Sequence, residues 1–424
     1  MSEGKSILVL GGGVIGLCTA YYAMQAGHKV TIVERGKPDN DGCSLGNAGM
    51  IVPSHFVPLA APGMVTMGLK MMLDPESPFT VRPRLDADLM RWGWKFLRAA
   101  NAAHVMRSAP LLRDMSLLSR RSYEELSARY GHSFGLVQKG LLMLCKSEHT
   151  LSEEKHMAEK AHALGLAAEV LTPEETAALD PGIDMSIAGS VYFPQDCHLD
   201  PQKFVSALTK SLEEGGAKFL WGTEVRGWTT GGLQTAGTQI ETVETSGGSL
   251  SADEYVLAGG SWFAEMARGL GLRLPLQAGK GYSLTLKAPR QMPTICSIMA
   301  EARVAVTPMG GTLRFGGTME ICGLDTTVNP ARVRGIIKSI PNYMPAFTPE
   351  DFREVPVWMG LRPCSPDGLP YIGRPARYRN VAIAVGHAMM GLSLGPVTGK
   401  LMADILSDRQ PALDISLLSP DRYA

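Results

Sequence analysis

Ser6-Ile7-Leu8-Val9-Leu10-Gly11-Gly12-Gly13-Val14-Ile15-Gly16 and, a little further on, Lys29-Val30-Thr31-Ile32-Val33-Glu34 decide the reading of this chain. The first apolar run stops abruptly at glycine, as a strand buried on both faces does. Val14–Gln25 reads as a helix that offers Ile15, Leu17, Cys18, Tyr21 and Tyr22 for packing, and Gly27-His28 ends it. Lys29–Glu34 is a second, β-branched strand, so the segment is one βαβ unit. Gly11, Gly13 and Gly16 satisfy G-x-G-x-x-G between strand and helix: a tight turn, close approach of a pyrophosphate, and close helix–strand packing. Phosphate oxygens would meet the free amides of the helix start, at Val14 and Ile15, and the positive end of its dipole. Glu34 closes the second strand where a carboxylate accepts the hydroxyls of an adenosine ribose, with Arg35 next to it. An acid at that place disfavours a 2′-phosphate, hence NADP, and leaves FAD and NAD open.

The rest of the composition sets bounds. The chain has 424 residues, no formal net charge, 45% hydrophobic and 19% charged residues. Its length suggests two or three domains with a large core, and zero net charge argues against a nucleic-acid partner. The seven cysteines are dispersed and contain no C-x-x-C pair; free thiols in a reducing, cytoplasmic compartment are expected, with no metal site. Residues 1–10 lack the features of a secretory signal. The nearest approach to a membrane span, residues 56–73, is broken by Pro58, Pro62, Gly63, Gly68 and Lys70.

Helices and strands alternate at the two ends of the chain, while strands cluster between. Residues 53–84 read as a wrapping loop and 85–129 as helix. Short strands are expected around 135–144, 190–193 and 217–257, and an antiparallel sheet from 283–287, 304–307 and 312–316. Pro330 opens a helix, Val381–Val385 is a buried strand, and a helix follows Pro396. The pattern fits an α/β (α+β) fold in which a Rossmann-like nucleotide-binding domain, assembled from discontinuous segments, carries an inserted domain built on an antiparallel sheet.

A second glycine-bearing turn, Cys43-Ser44-Leu45-Gly46-Asn47-Ala48-Gly49-Met50, resembles the second flavin-contacting turn of the FAD-dependent D-amino-acid oxidase superfamily. Within that superfamily the bacterial D-amino-acid dehydrogenase small subunits look most similar. They match at Ile51-Val52-Pro53 with Ala60-Ala61-Pro62-Gly63, at Lys280-Gly281-Tyr282-Ser283 and at Gly316-Gly317-Thr318-Met319-Glu320. Further matches are Gly360-Leu361-Arg362-Pro363 followed by Pro366-Asp367-Gly368, and Gly386-His387, Gly391-Leu392 and Gly399 near the end. These blocks keep the family's order along nearly the whole chain.

The resemblance implies noncovalent FAD, held by the first turn, by Ser44, Asn47, Ala48, Gly49 and Met50, by the backbone of Val225 at the adenine, and by Gly259, Gly391, Leu392 and Ser393. It implies an FAD-binding domain at 1–52, 196–272 and 356–424, and a substrate-binding domain at 53–195 and 273–355. Arg362 corresponds to the arginine that pairs with the substrate carboxylate in this family; a guanidinium offers two parallel donors for that purpose. Asp367 is the competing partner for Arg362. Glycine oxidase carries a carboxylate-binding tyrosine where Ala305 stands here, which disfavours glycine as substrate and makes Tyr282 the candidate second anchor. His55, in the proline-rich loop, and His387, before the flavin-facing glycines, are candidates to hydrogen-bond substrate or flavin. Lys280 is divided between a surface charge and a pocket role.

The implied reaction is oxidation of a D-amino acid to the imino acid and then, with water, to the 2-oxo acid, with a hydride leaving the α-carbon for flavin N5. Electrons would pass to a quinone or another acceptor that is not NAD. A peripheral contact with the inner membrane through 56–73, where Met64, Met67, Met71 and Met72 cluster, is a further expectation. Three alternatives stay open: a dehydrogenase of a cyclic D-imino acid such as D-proline or cis-4-hydroxy-D-proline, an oxidase that uses O2, and a non-catalytic FAD-binding subunit.

Overall fold

Ser6–Leu10, Val14–Gln25 and Lys29–Glu34 fold as strand, helix and strand in a computed structural model that describes residues 4–38, 42–72, 74–231 and 238–424. Residues 1–3 of the amino-terminal reading, and Leu73 at the end of the 56–73 stretch, lie outside the described residues. The two strands sit inside a six-stranded sheet whose order is Tyr371–Gly373, Val381–Val385, Glu254–Leu257, Ser6–Leu10, Lys29–Glu34, Lys218–Trp221. All neighbours are parallel except Tyr371–Gly373. Remote segments therefore complete one sheet, and both of its faces are covered, which is why its strands are apolar throughout. On one face Val14–Gln25 packs against Gly395–Leu406, burying Val14, Leu17, Cys18, Val397 and Leu401.

The second sheet has nine strands. Val357–Cys364, Gln277–Leu286, Thr312–Ile321, Val304–Met309 and Cys296–Met299 are antiparallel neighbours in that order. Leu141–Cys145 and Phe79–Val81 join it in parallel. One face buries Tyr282, Leu284, Val304, Val306 and Phe315 under the helix Pro330–Tyr343. The opposite face turns toward the cofactor turns: a Cβ on Gly316 would lie 3.9 Å from that of Ala48.

Two expectations shift. Val357–Cys364, expected with the 356–424 part of the cofactor domain, is instead an edge strand of the large sheet, paired along its length with Gln277–Leu286. The 85–129 helix is two helices, Ala87–Ala99 and Ala102–Arg129, because the Asn101 side chain accepts from His104 N and starts a new one.

Candidate active site

Gly11 has φ +119°, and a Cβ on Gly16 would lie 1.9 Å from the Gly11 carbonyl oxygen, so neither place admits a side chain. After an extended Gly13 the helix Val14–Gln25 starts with no side-chain cap and no acid in its first turn. Ser44 Oγ accepts from Val14 N at 3.0 Å. The Val14 amide, expected to meet a phosphate, is thus taken by Ser44, and the rest of the positive helix end is left for an anion. Glu34 Oε2 accepts from Gly12 N at 2.6 Å and Oε1 from Gly36 N at 2.7 Å; each oxygen retains a lone pair for a ribose hydroxyl. Gly222 N and Thr223 N donate to Gly36 O and Glu34 O, both at 2.9 Å, which brings Val225 to the same strand end. Arg35 lies 3.8 Å over the Trp262 ring, in the turn that begins at Gly259.

The second and third turns are tied together. Gly49, at φ +77°, donates to Asn47 Oδ1. Arg314 Nη1 donates to the carbonyls of Leu45 and Asn47 at 3.2 and 2.7 Å. Met50 pairs with His198, and Val52 N donates to Ser393 Oγ at 3.0 Å. Leu392 O accepts from Tyr123 Oη at 2.6 Å, and a Cβ on Gly391 would meet only His387 Cβ, at 3.8 Å. An open helix start, a carboxylate at the ribose position and glycine approaches in three turns fit a dinucleotide with a pyrophosphate bridge.

Arg362 lies on the cofactor-facing side of the large sheet. It pairs with Gly279, and a Cβ on the neighbouring Gly281 would fall 2.1 Å from Arg362 Nη1, so the guanidinium rests against bare backbone. A register shift between Gln277–Leu286 and Thr312–Ile321 marks a bulge at Thr318, where φ is +67°. The Thr318 carbonyl oxygen accepts from Arg362 Nη1 at 2.8 Å. No carboxylate pairs with Arg362 among the described residues; Asp367, the competing partner, is held by Arg422 at 2.7 and 3.0 Å. Cys364, two residues on, bridges to His387, joining the arginine strand to the third turn. Burial pushes the Cys364 thiol up to about 12.

Tyr282 does not serve as the second anchor. It points to the opposite face of its strand, where its hydroxyl lies 3.4 Å from Glu320 Oε1 and accepts from Asn329 N. Lys280 shares that face and is neither surface nor pocket. It is buried, with Nζ 3.0 Å from Glu320, 3.3 Å from Asp325 and 2.7 Å from the Thr327 carbonyl. His387 is buried against Thr398 Oγ1 at 3.0 Å, and burial lowers its pKa to about 3. Ala305 sits across from Gly316 on the face toward the cofactor turns, with only a methyl there.

His55 belongs to a constellation that the sequence does not advertise. Ser54 Oγ lies 3.1 Å from His55 Nδ1 and 2.5 Å from Asp196 Oδ2, and Ser54 N donates to Asp196 Oδ1 at 3.1 Å. Burial raises Asp196 to about 7, and burial, with Arg303 nearby, lowers His55 to about 4. With Asp196 ionised, Ser54 gives its hydrogen to the carboxylate and takes Nδ1–H, leaving His55 Nε2 as an acceptor. Motif reading misses Arg314 and Asp196, and it quotes Thr318 within a matching block without giving it a role. Trp358 is another: its indole leaves no room for a Cβ on Gly46 or Gly360. The alternation of Arg314 with Gly316 on one strand face was the one available signal.

The chain matches the DAO family of FAD-dependent oxidoreductases over residues 6–405, and it belongs to that family. FAD is accordingly the dinucleotide for which the cradle is built. The chain is 33% identical over 423 residues to a D-amino acid dehydrogenase of Bradyrhizobium diazoefficiens, covering 99% of each chain. It is 32% identical, with the same coverage, to one of Granulibacter bethesdensis. Its fold superposes on the crystal structure of glycine oxidase from Geobacillus kaustophilus with a TM-score of 0.77, over 100% of both chains at 24% identity.

Proposed function

We propose that this chain is a D-amino-acid dehydrogenase that oxidises its substrate to the imino acid and passes the electrons to a quinone-type acceptor rather than to NAD or O2. The observation that carries the reading is Arg362: a guanidinium laid on Gly281, held through one nitrogen by Thr318 O, with no carboxylate of its own among the described residues. Its remaining N–H groups suit a carboxylate in two-point contact, fixing orientation as well as charge. The full-length relatives named D-amino acid dehydrogenase support the substrate class.

FAD, when bound, supplies the hydride acceptor. The chain supplies position. Arg362 grips the carboxylate so that the α-hydrogen meets the cofactor in a fixed geometry, the main contribution to rate. The amine reacts neutral, and His55 Nε2, kept an acceptor by Ser54 and Asp196 and held uncharged by burial, receives a hydrogen bond from it. Gly316 and Ala305 carry little side-chain bulk on the face toward the cofactor turns, which suits a substrate side chain larger than that of glycine. Steady-state assays with a dye acceptor, run over acyclic and cyclic D-amino acids and their L-enantiomers, test the reading. Turnover confined to D-enantiomers supports it; turnover of L-enantiomers alone, or peroxide formed at the rate of turnover, overturns it.

A further inference from the structure

The strands Gln277–Leu286 and Thr312–Ile321 meet in a stretch poor in side chains, with Gly279 and Gly281 on one and Gly316 and Gly317 on the other. Register is weakly set by packing in such a stretch, yet the site depends on it. Lys280 pairs with Glu320 and Tyr282 with Gly317, so Thr318 and Met319 together stand opposite Gly281 alone. The two residues of this bulge turn to different partners. Met319 N donates to Pro78 O at 2.7 Å, while Thr318 offers its carbonyl oxygen to Arg362. A bulge re-aims the groups it carries, and a slip of one residue would take the Thr318 oxygen away from the guanidinium.

The back of the same stretch is held by charge. The side chains of Lys280 and Glu320 are only 1% and 8% exposed. Glu320 Oε1 lies 3.0 Å from Lys280 Nζ and 3.4 Å from Tyr282 Oη, against both residues that flank Gly281. Glu320 Oε2 accepts from Asn329 Nδ2 at 3.0 Å, with Arg332 Nε 3.9 Å away. Asn329 donates from its backbone to Tyr282 Oη at 3.1 Å and caps the helix Pro330–Tyr343. Arg332 donates to Ser77 O at 2.7 Å, just ahead of the strand Phe79–Val81 that pairs with Met319, Glu320 and Ile321. One carboxylate thus ties together both central strands and the start of the helix. A buried ion cluster adds little to stability, because desolvation offsets the attraction; its best-attested use is to fix register.

We propose that Glu320 is a positioning residue for substrate binding: from behind the sheet it fixes the bulge at Thr318 and Met319, and with it the guanidinium of Arg362. Lys280 and Glu320 leave the sheet on the face opposite Arg362, as alternation along a strand requires. They therefore act on the site through the main chain and not by touching the reacting groups. This role rests on the reading of Arg362 as the anchor of the substrate carboxylate. It gives the Lys280–Glu320 pair a purpose that neither a surface charge nor a pocket group would have.

Glu320→Gln and the uncharged pair Lys280→Met/Glu320→Gln, each made with and without Arg362→Ala in the full-length flavoprotein, test the inference. Both should raise KM for the D-amino acid about tenfold while kcat stays within about twofold and FAD content stays native. Affinity for propionate, a carboxylate without an amine, should fall by the same factor when read from the perturbation of the flavin absorbance. In the Arg362→Ala background the same substitutions should cost less than about twofold more in kcat/KM, a coupling that a merely structural role would not produce. The uncharged pair should unfold near the native temperature, since replacing a buried ion pair by neutral side chains is often close to neutral. It keeps the measurement possible if Glu320→Gln alone purifies poorly. A native KM in these variants while Arg362→Ala is impaired, a loss confined to kcat, or an equal loss in both backgrounds overturns the inference alone. A native KM in Arg362→Ala itself overturns the reading of the anchor, and the inference with it.

Discussion

Arg362 donates from Nη1 to the carbonyl oxygen of Thr318 across 2.8 Å, and Thr318 presents that oxygen because it stands in the left-handed region, at φ +67°, inside a bulge. A β-branched residue in that conformation is strained. The strain fixes one guanidinium nitrogen and leaves the others to a ligand. Arg362→Ala should lower kcat/KM for the amino acid by about two orders of magnitude or more, chiefly through KM. FAD content, read from the absorbance ratio of the purified protein, should stay native.

Gly281 is the floor on which that guanidinium lies. A Cβ at this position would come 2.1 to 2.4 Å from Nη1, Nη2 and Cζ of Arg362, so Gly281→Ala must displace the side chain. A shift of about 1 Å in an orienting group is sufficient for a loss of about a hundredfold. The expectation is a fall in kcat/KM of that order with little change in thermal unfolding, measured on the same preparation.

Glu34 holds two backbone N–H groups at once, Gly12 N and Gly36 N. Glutamine in its place keeps one acceptor and sets an amide hydrogen against the other N–H. Glu34→Gln should purify with depleted flavin and regain colour only in excess FAD, with an affinity loss of about tenfold or more. Full retention of FAD through gel filtration would remove Glu34 from the cofactor site.

Asp196 gives a pH signature with a definite sign. Burial raises its folded-state pKa to about 7 from 3.8. The folded chain therefore binds more protons than the unfolded one within that window, and this group's contribution to stability declines as pH rises through it. Asp196→Asn removes the titration. The difference in denaturant stability between native chain and variant should thus move in the native chain's disfavour from about pH 5 to about pH 8. Catalysis should respond too: without a carboxylate behind Ser54 the tautomer of His55 is no longer fixed, and kcat should fall while KM changes little.

The cofactor half of the site was legible because its chemistry is local. Gly11, Gly16 and Glu34 act through a backbone turn and a strand end within one short βαβ segment, and sequence spacing records such geometry directly. Arg362 was legible through its motif. The substrate half was less so, because it is assembled across a sheet. Whether Tyr282 meets a ligand depends on strand parity and on the bulge at Thr318, and neither is written in the local pattern. Asp196 reaches Ser54 over 142 residues of chain, and no periodicity predicts that pairing.

The most direct test of the account is the anaerobic flavin spectrum of the holoenzyme titrated with one D-amino acid and then with its L-enantiomer. The account predicts stoichiometric bleaching by the D-form, none by the L-form, and loss of the D-response at the same concentrations in Arg362→Ala with FAD still bound. Bleaching by both enantiomers, or an Arg362→Ala spectrum that responds as the native protein does, would contradict it.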